Sequence, residues 1–175
     1  MANSYDVDSV LTGCIEAFRR CEIVADAASE IYFSTRSLGG QTIGSHMRHC
    51  LDHLLCFLRG IETGAMDYDQ RDRNPIIESN ARAFRVALAA AMERLQAINP
   101  TALTTVVSVR QSPASGVHAV AMQSTVGREL MFLSHHTIHH VAMAMHLAES
   151  LKLSISPELS LAYSTAAHRA AVGDA

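Results

Sequence analysis

Four long segments of the chain place apolar residues three to four positions apart, which is the pattern of an α-helix with one buried face. With 175 residues, of which 49% are hydrophobic, the chain is long enough for one domain with a sizeable core, expected to span residues 1–175. Helices of similar length predict an all-α fold, a four-helix bundle. The four segments cover residues 8–33, 42–63, 77–98 and 125–151.

Local signals mark the ends of these helices. Thr42 is a candidate N-cap for the second helix and Gly64 a stop, and either Ser124 or Thr125 can cap the fourth. A turn is expected at 37–40, after the first helix. Between the third and fourth helices, β-branched and apolar residues predict a small β-hairpin. The weakly patterned tail after residue 154 is expected to pack loosely on the surface. The hairpin strands would lie at 104–109 and 117–122.

Composition narrows the classes of function. A formal net charge of -3 offers no general attraction for nucleic acid or an anionic membrane, and no apolar run is long enough to span a bilayer. The first residues lack the basic and apolar regions of a signal peptide. The four cysteines form no CxxC motif, and Cys14 and Cys21 are expected to be small buried residues of one helix. A cytoplasmic location with reduced thiols is therefore expected.

Histidines are concentrated in two of the predicted helices. Neutral imidazole is the commonest metal-binding side chain, and histidines three or four residues apart project from one side of a helix. Two such groups on separate long helices predict a metal ion held between them, and one ion takes at most four of the seven side chains. The groups are His46, His49 and His53 in the second helix, and His135, His136, His139 and His140 in the fourth.

The helical repeat of the fourth helix separates its histidines into two pairs. At about 100° per residue, His136 and His140 lie with Glu129 at the centre of the apolar face, whereas His135 and His139 lie to one side. This geometry favours His136 and His140 as the metal-binding pair.

On the second helix, spacing does not choose among His46, His49 and His53. Asp52 could orient an imidazole by accepting its second N–H, or it could face water.

The fourth helix is apolar nearly all round, because Met131, Ile138, Ala142 and Met145 lie opposite the histidine face. Such a helix must be covered on every side. We therefore expect a homodimer that uses the third or fourth helix.

The chain resembles the DinB-like superfamily over nearly its whole length. The similarity rests on residues 42–53, which contain His46-Met47-Arg48-His49, on residues 67–71, and on residues 128–130 followed by 136–140. It implies a four-helix bundle with a three-histidine site for a divalent metal. The implied ligands are His49, His136 and His140, with His53 or His46 as alternatives to the first.

The chain departs from the family pattern directly after the last histidine. Family members often continue with Arg-Gly-Gln, whereas this chain continues with Val141-Ala142-Met143. The difference indicates a subgroup with its own pocket.

Three imidazoles leave a metal ion with an open position, which is typical of catalytic sites. Zinc or nickel is expected, with iron or manganese as alternatives. Glu129 is the candidate general base or outer carboxylate, unless it lies in solvent or pairs with Arg128. The charged segment 66–75 has the composition of a solvated loop, but Tyr68 and Arg71 within it could reach the open side and hold an anionic group of a substrate.

The resemblance implies thiol transfer or amide hydrolysis, because some members transfer bacillithiol or mycothiol and others cleave amide-like bonds. We expect a bacterial metal-dependent enzyme, a hydrolase or thiol S-transferase, acting on a small thiol or small amide. The alternatives are a metal- or ligand-binding module without turnover, such as a stress-related accessory protein, and a structural bundle without metal. The expected partner is a small-molecule substrate, not nucleic acid or a membrane.

Overall fold

The computed structural model describes residues 7–34 and 40–173, and it is mostly helical with one small sheet. The all-α expectation is therefore correct in its coarse form. Two short 3₁₀ helices, Pro100–Thr104 and Pro157–Ser160, lie in the connections. The helices are α1 (Val7–Ala27), α2 (Ile43–Thr63), α3 (Pro75–Ser79), α4 (Ala81–Gln96), α5 (Val126–Ser150) and α6 (Tyr163–Val172), and the strands are β1 (Ala65–Asp67), β2 (Val106–Gln111) and β3 (Val120–Thr125).

The hydrophobic core lies among the four long helices. Helix α5 packs against α1 and α2, and α4 packs against the same two helices. Each helix contributes fully buried side chains to one continuous core, including Phe18, Phe57, Phe84 and Leu130. Cys14 and Cys21 are buried in α1, as the sequence predicts. Because α2 and α5 are in direct contact, their histidine-bearing faces meet.

Capping explains where the two histidine-bearing helices begin. The Thr42 hydroxyl accepts from the backbone N–H of Ser45, and the Ser45 hydroxyl accepts from the backbone N–H of Thr42, which is a capping box. Gly64 ends α2 in the left-handed region at φ 75°. The Thr125 hydroxyl accepts from the backbone N–H of Arg128 at the start of α5. The predicted caps are therefore confirmed, with Thr125 in place of Ser124.

Two predicted helices have different ends in the structure. Helix α1 ends at Ala27 rather than at Phe33, because the following turn is tied to other elements: the carbonyl of Tyr32 accepts from Gly44 and its hydroxyl donates to the carbonyl of Ile77. The predicted third helix is two helices, since Asn80 has extended backbone and caps α4 through its side chain. Of the turn expected at 37–40, residues 37–39 lie outside the described residues.

The charged segment after α2 is only partly a solvated loop. Its first residues form β1, which pairs with β2 in parallel, and the side chains of Met66 and Tyr68 are buried. Strand β2 also pairs with β3, antiparallel, with Val109 opposite Met122. Of the solvated loop expected at 66–75, residues 66–67 instead belong to β1 and Tyr68 is buried, whereas residues 72–75 are exposed.

Hydrogen bonds connect the C-terminal segment to α1. The Arg20 guanidinium donates to the carbonyls of Leu159 and Leu161, and the Tyr163 hydroxyl donates to the carbonyl of Gly13. Helix α6 contains no buried residue. None of the helices in the described ranges combines the length and apolar character needed to cross a lipid bilayer.

The apolar face of α5 opposite the histidines is largely covered within the single chain. Ile138 is 5% exposed and Met145 packs against the core, whereas Met131 is 49% exposed. Covering this face therefore does not require a second subunit.

Candidate metal centre

The contact between α2 and α5 brings three histidines into one group. His49, His136 and His140 each offer a ring nitrogen, and these atoms lie within 4.8 Å of one another. All three residues are half-buried. They are the three ligands that the family resemblance implies, and two of them are the pair that the helical geometry of α5 favours.

The ring geometry is compact enough to surround a single ion. The Nε2 atoms of His49 and His136 are 2.9 Å apart. The ring centroids of His49 and His140 are 4.3 Å apart, and those of His136 and His140 are 4.6 Å apart. The second separation follows from the i, i+4 spacing on α5.

Two further histidines of α2 touch this group. His46 is buried, and its Nδ1 lies 2.9 Å from Nδ1 of His140. Its Nε2 is buried with no hydrogen-bond partner among the described residues. His53 is also buried, and its Nδ1 donates to the backbone carbonyl of His49 at 2.9 Å. Both candidates for an alternative first ligand therefore lie beside the group rather than within it.

The flanking pair on α5 has a different environment. His135 and His139 are exposed, and the ring of His135 contacts Tyr163 of the C-terminal segment. The structure thus separates the two pairs of the histidine run, one turned into the protein and one turned outward.

Burial keeps the imidazoles of the cluster neutral. Desolvation, followed by the charges of neighbouring histidines, lowers the pKa of His49 to about 2 and that of His140 to about 3. Desolvation likewise lowers the pKa of His53 and of His136 to about 4. A metal binds the neutral imidazole, so at neutral pH these side chains need not lose a proton first.

Arg71 holds the second nitrogen of His49. Its Nη1 donates to His49 Nδ1 at 3.1 Å, and its Nε is buried without a partner in the described part of the chain. A neutral imidazole that accepts at Nδ1 carries its proton on Nε2. Binding a metal at Nε2 of His49 therefore requires Arg71 to leave Nδ1, which would free the guanidinium to contact a bound anion.

The Asp52 carboxylate binds an arginine and not an imidazole. Its carboxylate is buried and accepts from Arg48 at 2.6 Å, and Arg48 also donates to Glu78 of α3 at 2.7 Å. The expectation that Asp52 faces water is wrong. Within the described residues its partner is Arg48 of the same helix, so Asp52 does not orient a histidine. It holds Arg48, whose second ion pair with Glu78 ties α2 to α3.

Glu129 and Tyr68 form a buried pair next to the histidines. The Tyr68 hydroxyl donates to Glu129 Oε2 at 2.9 Å, and the Ser124 hydroxyl donates to Oε1 at 2.6 Å. Glu129 is therefore not in solvent. Arg128 does pair with its carboxylate, but at 3.9 Å and from a largely exposed side chain. The Tyr68 ring stacks on His53 with centroids 5.4 Å apart. Tyr68 therefore contacts the Glu129 carboxylate through its hydroxyl and an imidazole of the cluster through its ring.

Phe132 is a site residue that the sequence analysis missed. Its ring stacks on His136 with centroids 5.3 Å apart and also contacts Tyr68. Its position four residues before His136 was the available signal, because residues at that spacing share one face of a helix. Together, Phe132 and Tyr68 form an aromatic wall on one side of the imidazole cluster.

Comparison with known proteins does not establish a family. No family model matches the chain, and no solved structure matches it. Among curated proteins, the chain is similar to FK506-binding protein 5 of Rhizopus delemar, with 32% identity over 104 residues. The match covers 59% of this chain but only 27% of that protein, so the chain spans about a quarter of the length of the relative it matches.

Proposed function

We propose that this protein is a divalent-metal-dependent enzyme of the DinB-like type, with His49, His136 and His140 as the metal ligands. The observation that carries the proposal is the convergence of these three imidazole nitrogens within 4.8 Å, from two separate helices. The DinB-like four-helix bundle, with a hairpin before its last helix, is part of the same proposal. It is supported by the packing of α1, α2, α4 and α5 around one core.

The donor set suits a divalent ion. The ligand nitrogens of a tetrahedral zinc site lie about 3.3 Å apart, given zinc–nitrogen distances of roughly 2.0–2.1 Å, so small side-chain shifts would convert the observed cluster into a coordination shell. Imidazole is an acceptable ligand for zinc and nickel, with iron and manganese as alternatives. Such an ion supplies a Lewis acid and can lower the pKa of a water molecule towards about 7.

An accessible side supports turnover rather than a purely structural metal. His136 lines a surface cavity together with Arg128, Met131, Phe132 and His135. Arg71 brings a positive charge to the other side of the cluster, next to His49. We propose that the substrate is a small thiol or a small amide, and that Arg71 binds its anionic group.

Metal analysis of paired variants tests the ligand assignment. Protein purified without a histidine tag is expected to hold close to one divalent ion per chain, and the double variant His136→Ala, His140→Ala is expected to hold none. The control is His135→Ala, His139→Ala, which removes two histidines at the same spacing from the same helix but from its exposed side. Retention of stoichiometric metal by the first variant, or its loss from the control, would contradict the assignment.

Turnover is tested separately from metal binding. The metal-loaded protein is assayed against low-molecular-weight thiols paired with an electrophile, and against small amides, with the His136→Ala, His140→Ala variant as the blank. A metal-dependent rate with one panel identifies the reaction class. Full metal occupancy with no rate above the blank in either panel would instead favour the non-catalytic binding module.

A further inference from the structure

A cavity in the described part of the chain lies outside the histidine cluster. It has a volume of about 800 Å³ and lies between the sheet and the first turns of α5. In an antiparallel pair, residues directly opposite one another share a face, so Val109 and Met122 line the cavity from neighbouring strands. On the α5 side it is lined by Arg128, Glu129 and Phe132. A volume of this size falls in the range of small-molecule sites.

A buried carboxylate lies in the wall of this otherwise largely apolar cavity. Glu129 is only 5% exposed, and the neutral hydroxyls of Tyr68 and Ser124 donate hydrogen bonds to its carboxylate. An ionised carboxylate can accept about four hydrogen bonds, so lone pairs remain for a ligand. The first turn of α5 contributes partial positive charge, and Arg128, which also lines the cavity, forms an ion pair with Glu129 at 3.9 Å. This ion pair is long and the Arg128 side chain is largely exposed, so it is screened by water.

A buried anion of this kind is a recognition element for a cation. Burying a charge is costly unless an opposite charge or strong hydrogen bonds compensate it, and a charged donor makes a stronger hydrogen bond to a carboxylate than a hydroxyl does. The apolar part of the lining is suited to a different part of the same ligand, because Val109, Met122 and Phe132 present apolar surface.

We propose that this cavity is a binding site for a small organic cation, an ammonium group on an aryl or alkyl body. The ammonium binds Glu129, and the apolar body lies between the sheet and Phe132. Because Phe132 also stacks on His136, the bound molecule would lie directly behind the imidazole cluster. The site itself requires no metal. Failure of the metal-dependent function would therefore not contradict this proposal.

Three probes of matched shape test the charge preference: 2-phenylethylammonium, 2-phenylethanol and phenylacetate. Each is titrated into the full-length protein and followed by calorimetry and by methyl NMR of the methionine and valine side chains. The ammonium probe is expected to bind about tenfold more tightly than the alcohol, the scale of one charge-assisted hydrogen bond. The largest shifts are expected at Met122 and Val109. The His136→Ala, His140→Ala variant should give the same preference.

Two variants identify the residues responsible. Glu129→Gln keeps the shape of the side chain and is expected to remove the preference for ammonium while retaining weak binding of the alcohol. Glu93→Gln is the control, since it makes the same change in charge on an exposed residue of α4 that does not line the cavity. Met122→Trp changes a residue that is 70% exposed at the cavity, and it is expected to weaken all three probes without disturbing the fold.

The outcomes separate the alternatives. The proposal is supported by a preference for the ammonium probe in the wild type that is lost with Glu129→Gln, and by weaker binding of all three probes to Met122→Trp. Equal binding of ammonium and alcohol, a preference for phenylacetate, or no binding of any probe up to its solubility limit would each overturn it. If Glu129→Gln fails to fold, the affinities of the three probes for the wild type and for Met122→Trp still test whether the cavity binds an organic cation.

Discussion

His46 affects the candidate metal centre through one contact, between its Nδ1 and Nδ1 of His140 at 2.9 Å. In such a pair one ring donates and the other accepts. Metal-binding histidines commonly donate their second N–H to a neighbouring acceptor, which fixes the tautomer and the ring orientation. His46 is suited to this positioning role for His140. The Nε2 of His46 is then buried without a partner among the described residues, which lowers the stability of the fold. An apolar residue that only filled this space would not carry that cost.

Substitution of His46 should therefore change metal affinity through hydrogen bonding rather than through volume. His46→Ala is expected to weaken zinc binding by about 10- to 100-fold, whereas His46→Asn places an acceptor near the position of Nδ1 and should recover most of the affinity. Competition with a chelating dye measures both variants, and the visible spectrum of the cobalt-loaded protein reports the geometry of the ligands. Equal losses for alanine and asparagine, with unchanged spectra, would contradict a positioning role.

Residue roles were predictable only where helical spacing determines them. The repeat of α5 separates His136 and His140 from the outward pair, because four residues bring a side chain back to the same face. The contact of His46 with His140 joins residues 94 positions apart, and that of Arg71 with His49 depends on the path of the segment after α2. Contacts of this kind depend on how whole elements pack, which local patterns do not contain.

At the scale of elements, the approach of α3 to α2 depends on a glycine. A Cβ added at Gly44 would lie 1.9 Å from the backbone carbonyl oxygen of Glu78 and 2.7 Å from the Tyr32 ring. Backbone cannot move aside as a flexible side chain can. Arg48, which bridges Asp52 and Glu78 across the same contact, would be displaced together with α3.

Gly44→Ala is therefore expected to destabilise the protein by roughly 1–3 kcal/mol, as other overpacked sites do. The matched control is Gly13→Ala in α1, where an added Cβ meets no atom within 4 Å. Because alanine is the better helix former, that variant should be stabilised by up to about 1 kcal/mol. Urea unfolding measures both changes. A neutral Gly44→Ala would show that α3 can move away from α2 at little cost.

The elements themselves were predictable to different degrees. Long apolar repeats and threonine caps at Thr42 and Thr125 located α2 and α5, since these signals are local. Strand β1 was not predictable, because it has three residues and forms only by pairing with β2, which is distant in the chain. The break between α3 and α4 at Asn80 had a local signal, because asparagine is a strong N-cap residue. The apolar repeat continues across Asn80, however, and that pattern favoured one long helix.

At the scale of the whole molecule, a homodimer stays a prediction, although the chain itself covers most of the apolar face of α5 that suggested one. The chain itself covers Ile138 and Met145, so a dimer through α5 would be centred on the exposed Met131. We expect sedimentation equilibrium to give twice the chain mass for the wild type and a lower apparent mass for Met131→Glu. A single-chain mass for the wild type at all concentrations would contradict the dimer.

The buried imidazoles should make the metal-free protein sensitive to acid. The folded state lowers the pKa of His49, His53, His136 and His140 from an ordinary value of 6.5 to between about 2 and about 4, chiefly because burial disfavours the charged ring. Above pH 6.5 these rings are neutral whether the chain is folded or unfolded. Below it, the unfolded chain takes up protons that the folded chain does not, so the free energy of unfolding falls as the pH falls towards about 4.

Urea unfolding of chelator-treated protein between pH 4.5 and pH 8 measures this dependence, with roughly constant stability from these groups expected above pH 6.5 and a steady loss below it. The double variant His136→Gln, His140→Gln removes two of the groups whose pKa is lowered, so its loss of stability in acid should be shallower. His135→Gln, His139→Gln removes two exposed rings and should keep the slope of the wild type. If the two double variants have the same slope, the acid sensitivity arises elsewhere in the molecule, and the imidazole cluster is not held in its neutral form by burial.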